Sequence, residues 1–183
     1  GFLNYTSNYK NDELDGELKF YYKNGKTEAI KNLTNGKLNG AYKHYNEAGN
    51  LDEEGSYTDD KPSGQWKEYY DSKKLKTEYV YANGELDGIY KTYYEKCNPA
   101  QSSIYTKGTL DGKEEYFDED GIKYNESIFE KGKLKELVFL DKTEKTINSS
   151  TTRKGAGYLN FYDAQGNKSS EGYYNKDVDN ECK

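Results

Sequence analysis

The sequence predicts an all-β fold: tandem 24-residue β-hairpin repeats forming one long, twisted, single-layer antiparallel meander. Three observations lead there. A glycine recurs at Gly16, Gly40, Gly64, Gly88 and Gly112, every step being 24 residues, and a fixed period of this size marks an array of one small structural unit. Each unit holds two short runs rich in tyrosine and other strand formers, separated by turn dipeptides, as β-hairpins require. No helical hydrophobic period of any length runs through the chain.

The elements follow from alignment on the glycine. Two residues later stand Leu18, Tyr42, Trp66, Tyr90 and, breaking the row, Glu114. Five later come Tyr21, Tyr45, Tyr69, Tyr93 and Phe117, and six later Tyr22, Asn46, Tyr70, Tyr94 and Asp118. A first turn is marked by Asn24-Gly25, Ala48-Gly49, Ser72-Lys73 and Asp120-Gly121. The second run ends at Leu33, Tyr57, Tyr81, Tyr105 and Phe129. A second turn then closes the unit at Asn35-Gly36, Asp59-Asp60, Asn83-Gly84, Lys107-Gly108 and Lys131-Gly132. Strand alternation sets the residues two and six after the glycine on one face and those five after on the other, so aromatic rows run along both faces. Pro62 replaces the repeat leucine and Pro99 is expected in the turn of the fourth unit, so neither interrupts a strand centre.

Residues 1–13 read as an N-terminal partial repeat or cap, 14–133 as five regular repeats, 134–156 as a degenerate repeat, and 157–183 as a final repeat with a C-terminal tail. The sixth unit would carry its glycine at position 136, where Glu136 stands before Leu137-Val138-Phe139-Leu140. The pattern resumes at Gly157 with Leu159, Tyr162 and Tyr174. About 12–14 strands are expected, and an open sheet of that length twists and coils.

Composition alone would suggest disorder. Charged residues make up 33% of the chain, mean hydropathy is −1.24, and Leu, Ile, Val and Phe number 28 in 183 residues, a proportion typical of unfolded chains. The 21 tyrosines reverse that reading, because they carry large apolar surface and fall in register with the repeat. The expectation is an ordered array stabilised between neighbouring units.

Net charge is −6 without a Lys/Arg block, which excludes a dedicated nucleic-acid surface. No apolar run approaches the ~20 residues of a membrane helix. The start at Gly1, inside a partial repeat, is read as the loss of an upstream signal or anchor and favours the bacterial cell envelope or secretion over the cytoplasm. Cys97 and Cys182, about three repeats apart, should lie on the order of 20–30 Å from each other, too far for a disulfide. Two free thiols are expected.

Segments such as Leu38-Asn39-Gly40-Ala41-Tyr42-Lys43-His44-Tyr45 and Leu86-Asp87-Gly88-Ile89-Tyr90-Lys91-Thr92-Tyr93-Tyr94 resemble MORN repeats, in particular the bacterial variant known as the YwqK-family antitoxin. The resemblance covers nearly the whole chain. It implies a single-layer twisted sheet of hairpins and a scaffold or adaptor role, with lipid contact or toxin neutralisation as further implications.

Catalytic chemistry finds little to work with. His44 is the single histidine and occupies an ordinary repeat position beside Phe20, Glu68, Thr92 and Tyr116. No Cys/His set has metal spacing and no phosphate-cradling glycine motif precedes a helix. Asp15, Asp87 and Asp111 precede the glycine, but adjacent units would hold them roughly 10 Å apart, as solvated turn residues. Neither a metal nor a cofactor is expected. The aromatic rows have two readings: tyrosines that hold a thin sheet together, and a recognition surface of the kind that dominates interfaces. The central residues Tyr42, Trp66, Tyr90, Tyr70 and Tyr94 are the candidate binding surface. The expectation is a non-enzymatic scaffold for an unidentified protein partner. The alternatives are an antitoxin or immunity protein on a basic toxin, and membrane-surface or glycan binding. Sheet edges or ends could also pair with one another.

Overall fold

The computed structural model describes residues 4–151, 156–162 and 168–175, and the side chains of residues 4–146. Among the described residues there is no helix, and the sixteen strands pair antiparallel, mostly as successive hairpins. The chain divides into two compact units, Gly1–Gly88 and Ile89–Lys183. The first holds β1 (Tyr5–Lys10), β2 (Glu13–Tyr21), β3 (Thr27–Thr34), β4 (Lys37–Tyr45), β5 (Leu51–Thr58), β6 (Lys61–Tyr69), β7 (Leu75–Ala82) and the short β8 (Glu85–Leu86), each paired with the next. The second opens with β9 (Gly88–Tyr93), which begins one residue before the boundary. It continues as a meander through β10 (Pro99–Thr106), β11 (Thr109–Phe117), β12 (Lys123–Glu130), β13 (Lys133–Leu140) and β14 (Thr146–Thr151). A separate pair, β15 (Ala156–Tyr162) with β16 (Lys168–Asn175), follows.

Two turn types alternate, each dictated by local backbone chemistry. The tight turns place both central residues at positive φ, as in Asn35 and Gly36 (50° and 75°), Asn83 and Gly84 (55° and 89°) and Lys131 and Gly132 (51° and 73°). That is the two-residue hairpin turn whose twist suits antiparallel strands. The wider turns need one left-handed residue each, filled by Gly25, Gly49 and Gly121 but also by Lys73 at 65° and Cys97 at 72°. Pro99 does not sit in the fourth of these turns, as expected, but is the first residue of β10. A strand's first position tolerates the missing N–H.

Strand register explains the recurrent glycine. Lys31 pairs with Tyr42 and Leu33 with Leu38, so Asn39, Gly40 and Ala41 together face Asn32. Asp111, Gly112 and Lys113 face Ile104 in the same way. The glycine is the centre of a β-bulge. At Gly112 φ is 135°, and a Cβ there would stand 3.0 Å from that of Ile104. The preceding aspartates were expected as solvated turn residues; Asp15 and Asp111 are instead half-buried bulge residues within β2 and β11. The Asp15 carboxylate accepts the Asn35 N–H at 3.3 Å and Asp111 accepts that of Lys131 at 3.1 Å, tying a repeat's bulge to the tight turn that closes the same repeat.

The sixth repeat departs from the 24-residue count at that bulge. Leu137 pairs with Ser127 and Phe139 with Asn125, which puts Lys135, not Glu136, in the glycine's place. Phe129 pairs with Leu134 and Ile128 with Glu136, leaving Lys135 alone as the bulged residue. With a single extra residue, the special backbone conformation is no longer needed. Gly157 pairs with Tyr174 in the register that Gly16 has with Leu33.

Directly opposed residues on neighbouring strands share a face. By that rule the buried residues of the first unit, Ala29, Leu33, Trp66, Thr77 and Tyr79, lie on the face that carries the residue two after the glycine. The other face of this unit carries Lys43, Glu54 and Tyr69, with the Tyr69 hydroxyl donating to Glu54 at 2.7 Å. Neighbouring repeats are also latched by the tyrosine six after the glycine. Tyr22 donates its hydroxyl to the Tyr45 carbonyl at 2.6 Å, and Tyr94 to that of Phe117 at 2.8 Å. Cys97 is an exposed free thiol, and Cys182 lies outside the described residues.

Candidate functional site

The centre of the first unit's buried face is aromatic. Trp66 is 4% exposed. Its ring lies 5.4 Å from that of Tyr42, 5.2 Å from Tyr57 and 5.9 Å from Tyr81, the last two edge-on. On β5 the indole covers Gly55, where any Cβ would fall 2.2 Å from the ring. A glycine opposite an aromatic lets the ring lie flat on the backbone. The indole Nε1 is buried with no hydrogen-bond partner. That orphan costs about 1–3 kcal/mol, whereas removing a tryptophan from water contributes about 4–6 kcal/mol at 25 cal/mol/Å². Burial wins, so Trp66 is a packing residue first.

Carboxylates border this cluster. Glu53 on β5 is directly opposite His44 on β4 and Glu68 on β6. The Tyr42 hydroxyl bonds Glu53, and Glu68 accepts from Thr77 Oγ1 at 3.2 Å and from the Tyr79 hydroxyl at 3.3 Å. His44 Nδ1 is 2.6 Å from the Asp52 carboxylate. Together with Asn46, Tyr69, Tyr70, Asp71 and Lys76, the residues His44, Asp52, Glu53 and Glu68 line a cleft of about 540 Å³. Burial, then the charge of Glu53, raises the Tyr42 hydroxyl far above its ordinary value, and burial with Glu68 does the same to Tyr79. Both phenols therefore stay protonated as hydrogen-bond donors.

The five candidate residues are distributed over both units. Tyr42, Trp66 and Tyr70 belong to the first, where Tyr42 packs on Trp66 and Tyr70 lines the cleft. Tyr90 and Tyr94 belong to the second. There the Tyr90 ring lies 6.1 Å from Tyr105, and the Tyr94 hydroxyl serves as a latch. Sequence reasoning missed Glu53, Glu68 and the His44–Asp52 pair. Glu53 falls in the second run of one repeat and Glu68 in the first run of the next, so their opposition emerges only when both runs are placed in register. Among the described residues no group of acidic, histidine and cysteine side chains is arranged to hold a metal ion, and no helix is long and apolar enough to cross a membrane.

No curated protein matches the chain. Among solved structures it is similar to one described as "Crystal Structure of TarM", at 11% sequence identity and a TM-score of 0.36, over 55% of this chain. The likeness spans 19% of the length of that structure's chain. A family model is more informative. Residues 14–35, 38–59 and 62–83, which carry Trp66, the carboxylate pair and the cleft, match the model of the MORN repeat variant, so three consecutive repeats of the first unit are similar to that repeat.

Proposed function

We propose that the chain is a non-enzymatic repeat scaffold that holds a protein partner on the aromatic and carboxylate-bearing face of its first unit. The observation that carries this reading is the cleft where Asp52, Glu53, Glu68 and Asp71 converge beside Tyr69 and Tyr70. Carboxylates next to aromatic rings suit lysine and arginine side chains, by charge and by cation–π attraction. The overall charge of −6 would speed the approach of a basic partner. A basic segment of a partner protein is thus the ligand class. A toxin neutralised by an immunity protein is the narrower version, supported by the same charge and by the resemblance to the antitoxin-type variant.

The test is fluorescence anisotropy with a lysine- and arginine-rich peptide and an acidic peptide of equal length. The full chain should bind the basic peptide alone, and an Asp71→Lys variant, altered at an exposed rim position, should bind it less tightly. Equal binding of both peptides, or an unchanged affinity in Asp71→Lys, overturns the reading. Alanine at Trp66 is unsuited to this test, because the residue is buried and its loss reports on folding.

A further inference from the structure

One row of side chains crosses four strands on the buried face of the first unit. Register pairs His44 with Glu53, Glu53 with Glu68, and Glu68 with Thr77. Two carboxylates directly opposite one another violate the usual avoidance of like charges across a ladder. At the equivalent opposition the same row places Ala29 opposite His44 and Gln101 opposite Tyr116 in other repeats. The clash is therefore not a requirement of the repeat. A local rule broken at one place in an otherwise consistent array points to something other than stability.

The surroundings of the pair come from every neighbouring strand. From β4, Tyr42 bonds Glu53, while His44 is held by Asp52 of β5. Tyr57 also faces Glu53 from β5. From β7, Thr77 and Tyr79 donate to Glu68. Asp71 and Lys76 stand on the cleft wall. The hydrogen bonds to the two carboxylates come from neutral hydroxyls, and the His44 imidazole, directly opposite Glu53 and held by Asp52, offsets part of the repulsion.

We infer that Glu53, held directly opposite Glu68 on the cleft wall, is a proton-responsive carboxyl: at neutral pH it receives a cationic side chain, and on mild acidification a proton takes that place and the cleft releases its ligand. This rests on the reading of the cleft as a receiver of basic segments. Burial pushes the Glu53 carboxyl up, the Tyr42 hydrogen bond pulls it back, and the charge of Glu68 pushes it up again, leaving it above its ordinary value. A carboxyl raised in the folded state carries no penalty below its unfolded value. Stability falls as pH rises through the interval between the unfolded and folded values. Glu126, Glu130 and Asp141 are held below their ordinary values, so their contributions are lost only at more acidic pH and with the opposite sign.

The decisive experiment is a carbon-detected NMR titration of the glutamate carboxyls in the full chain, wild type and Glu68→Gln. Glu53 should titrate above the ordinary glutamate range in wild type and move back towards it in Glu68→Gln. A Glu53 midpoint within or below the ordinary range overturns the inference, and so does one that Glu68→Gln leaves in place. Should Glu68→Gln fail to fold, the wild-type midpoint decides alone. A second arm measures the affinity of an oligo-lysine peptide at neutral pH and at about pH 5. A drop of roughly fivefold or more is expected, and equal affinity at both overturns the release step. Absence of peptide binding at either pH, with the elevated midpoint present, retires the proposed function and leaves the proton-responsive Glu53 standing.

Discussion

The two units use one repeat register to build different interiors. In the first, burial centres on Trp66 and Tyr79, with Tyr42, Tyr57 and Tyr81 packed about them. In the second, the buried residues are Leu134, Leu137 and Phe139 with the small polar Ser103, Asn125 and Ser127. The bulge row differs as well. Asn32 and Ser56 send side-chain hydrogen bonds to the Ala41 and Ser63 carbonyls, whereas Ile104 and Ile128 occupy that row in the second unit. The change to aliphatic residues begins at Val80, still within the first unit. The comparison teaches that the hairpin register, set by turns and bulges, tolerates a change of core chemistry, while the carboxylate-lined cleft depends on the aromatic version.

The sharpest way to break the comparison is to remove each core in turn. Trp66→Ala should cost about 3–5 kcal/mol and Phe139→Ala a similar amount. In an array stabilised by nearest neighbours, each loss should fall on its own unit. Hydrogen exchange should show lost protection in β4–β7 for the first variant and in β12–β13 for the second. Uniform loss across the chain in either variant would mean that the units do not behave separately. Gly55→Ala should resemble Trp66→Ala more than any surface change, because the added methyl collides with the indole.

A smaller effect separates the turns. Lys73 in the first unit and Cys97 in the second hold the left-handed conformation that glycine fills at Gly25, Gly49 and Gly121. Lys73→Gly and Cys97→Gly should each stabilise by about 1 kcal/mol in urea denaturation. Stabilisation confined to one of them would show that the two turns are not equivalent.

The smallest effect concerns charge. In the second unit Lys123 bridges Glu115 at 3.0 Å and Glu126 at 2.8 Å, and Lys113 reaches Glu126 at 3.1 Å. The hydrogen bond from Lys123, then that from Lys113, pulls the Glu126 carboxyl below its ordinary value despite burial. Its stabilisation is present above the unfolded value and is lost as pH falls through the folded one. Glu126→Gln should therefore cost up to about 1 kcal/mol at neutral pH and nothing in acid. Its pH profile should run opposite to that of Glu53→Gln, which removes a carboxyl whose ionisation is unfavourable. Parallel profiles would contradict the assigned difference between the two units.

The sequence by itself determined the repeat, the hairpins and the turns, because these rest on local chemistry. Left-handed conformations select glycine and asparagine, strand runs collect tyrosine, and a 24-residue step repeats both. It placed the tight turn at Asn35-Gly36 and the aromatic row through Tyr42 and Trp66. Which of the row's two readings applies at Trp66 was not legible: its ring is sealed over Gly55 and packs the sheet. Nor was the single-residue bulge at Lys135, since a 24-residue count assumes that every bulge is the same size. Tertiary structure alone decided that Glu53 opposes Glu68 and that His44 meets Asp52 beside them. Cross-strand opposition depends on register, and one bulged residue is enough to exchange which side chains share a face.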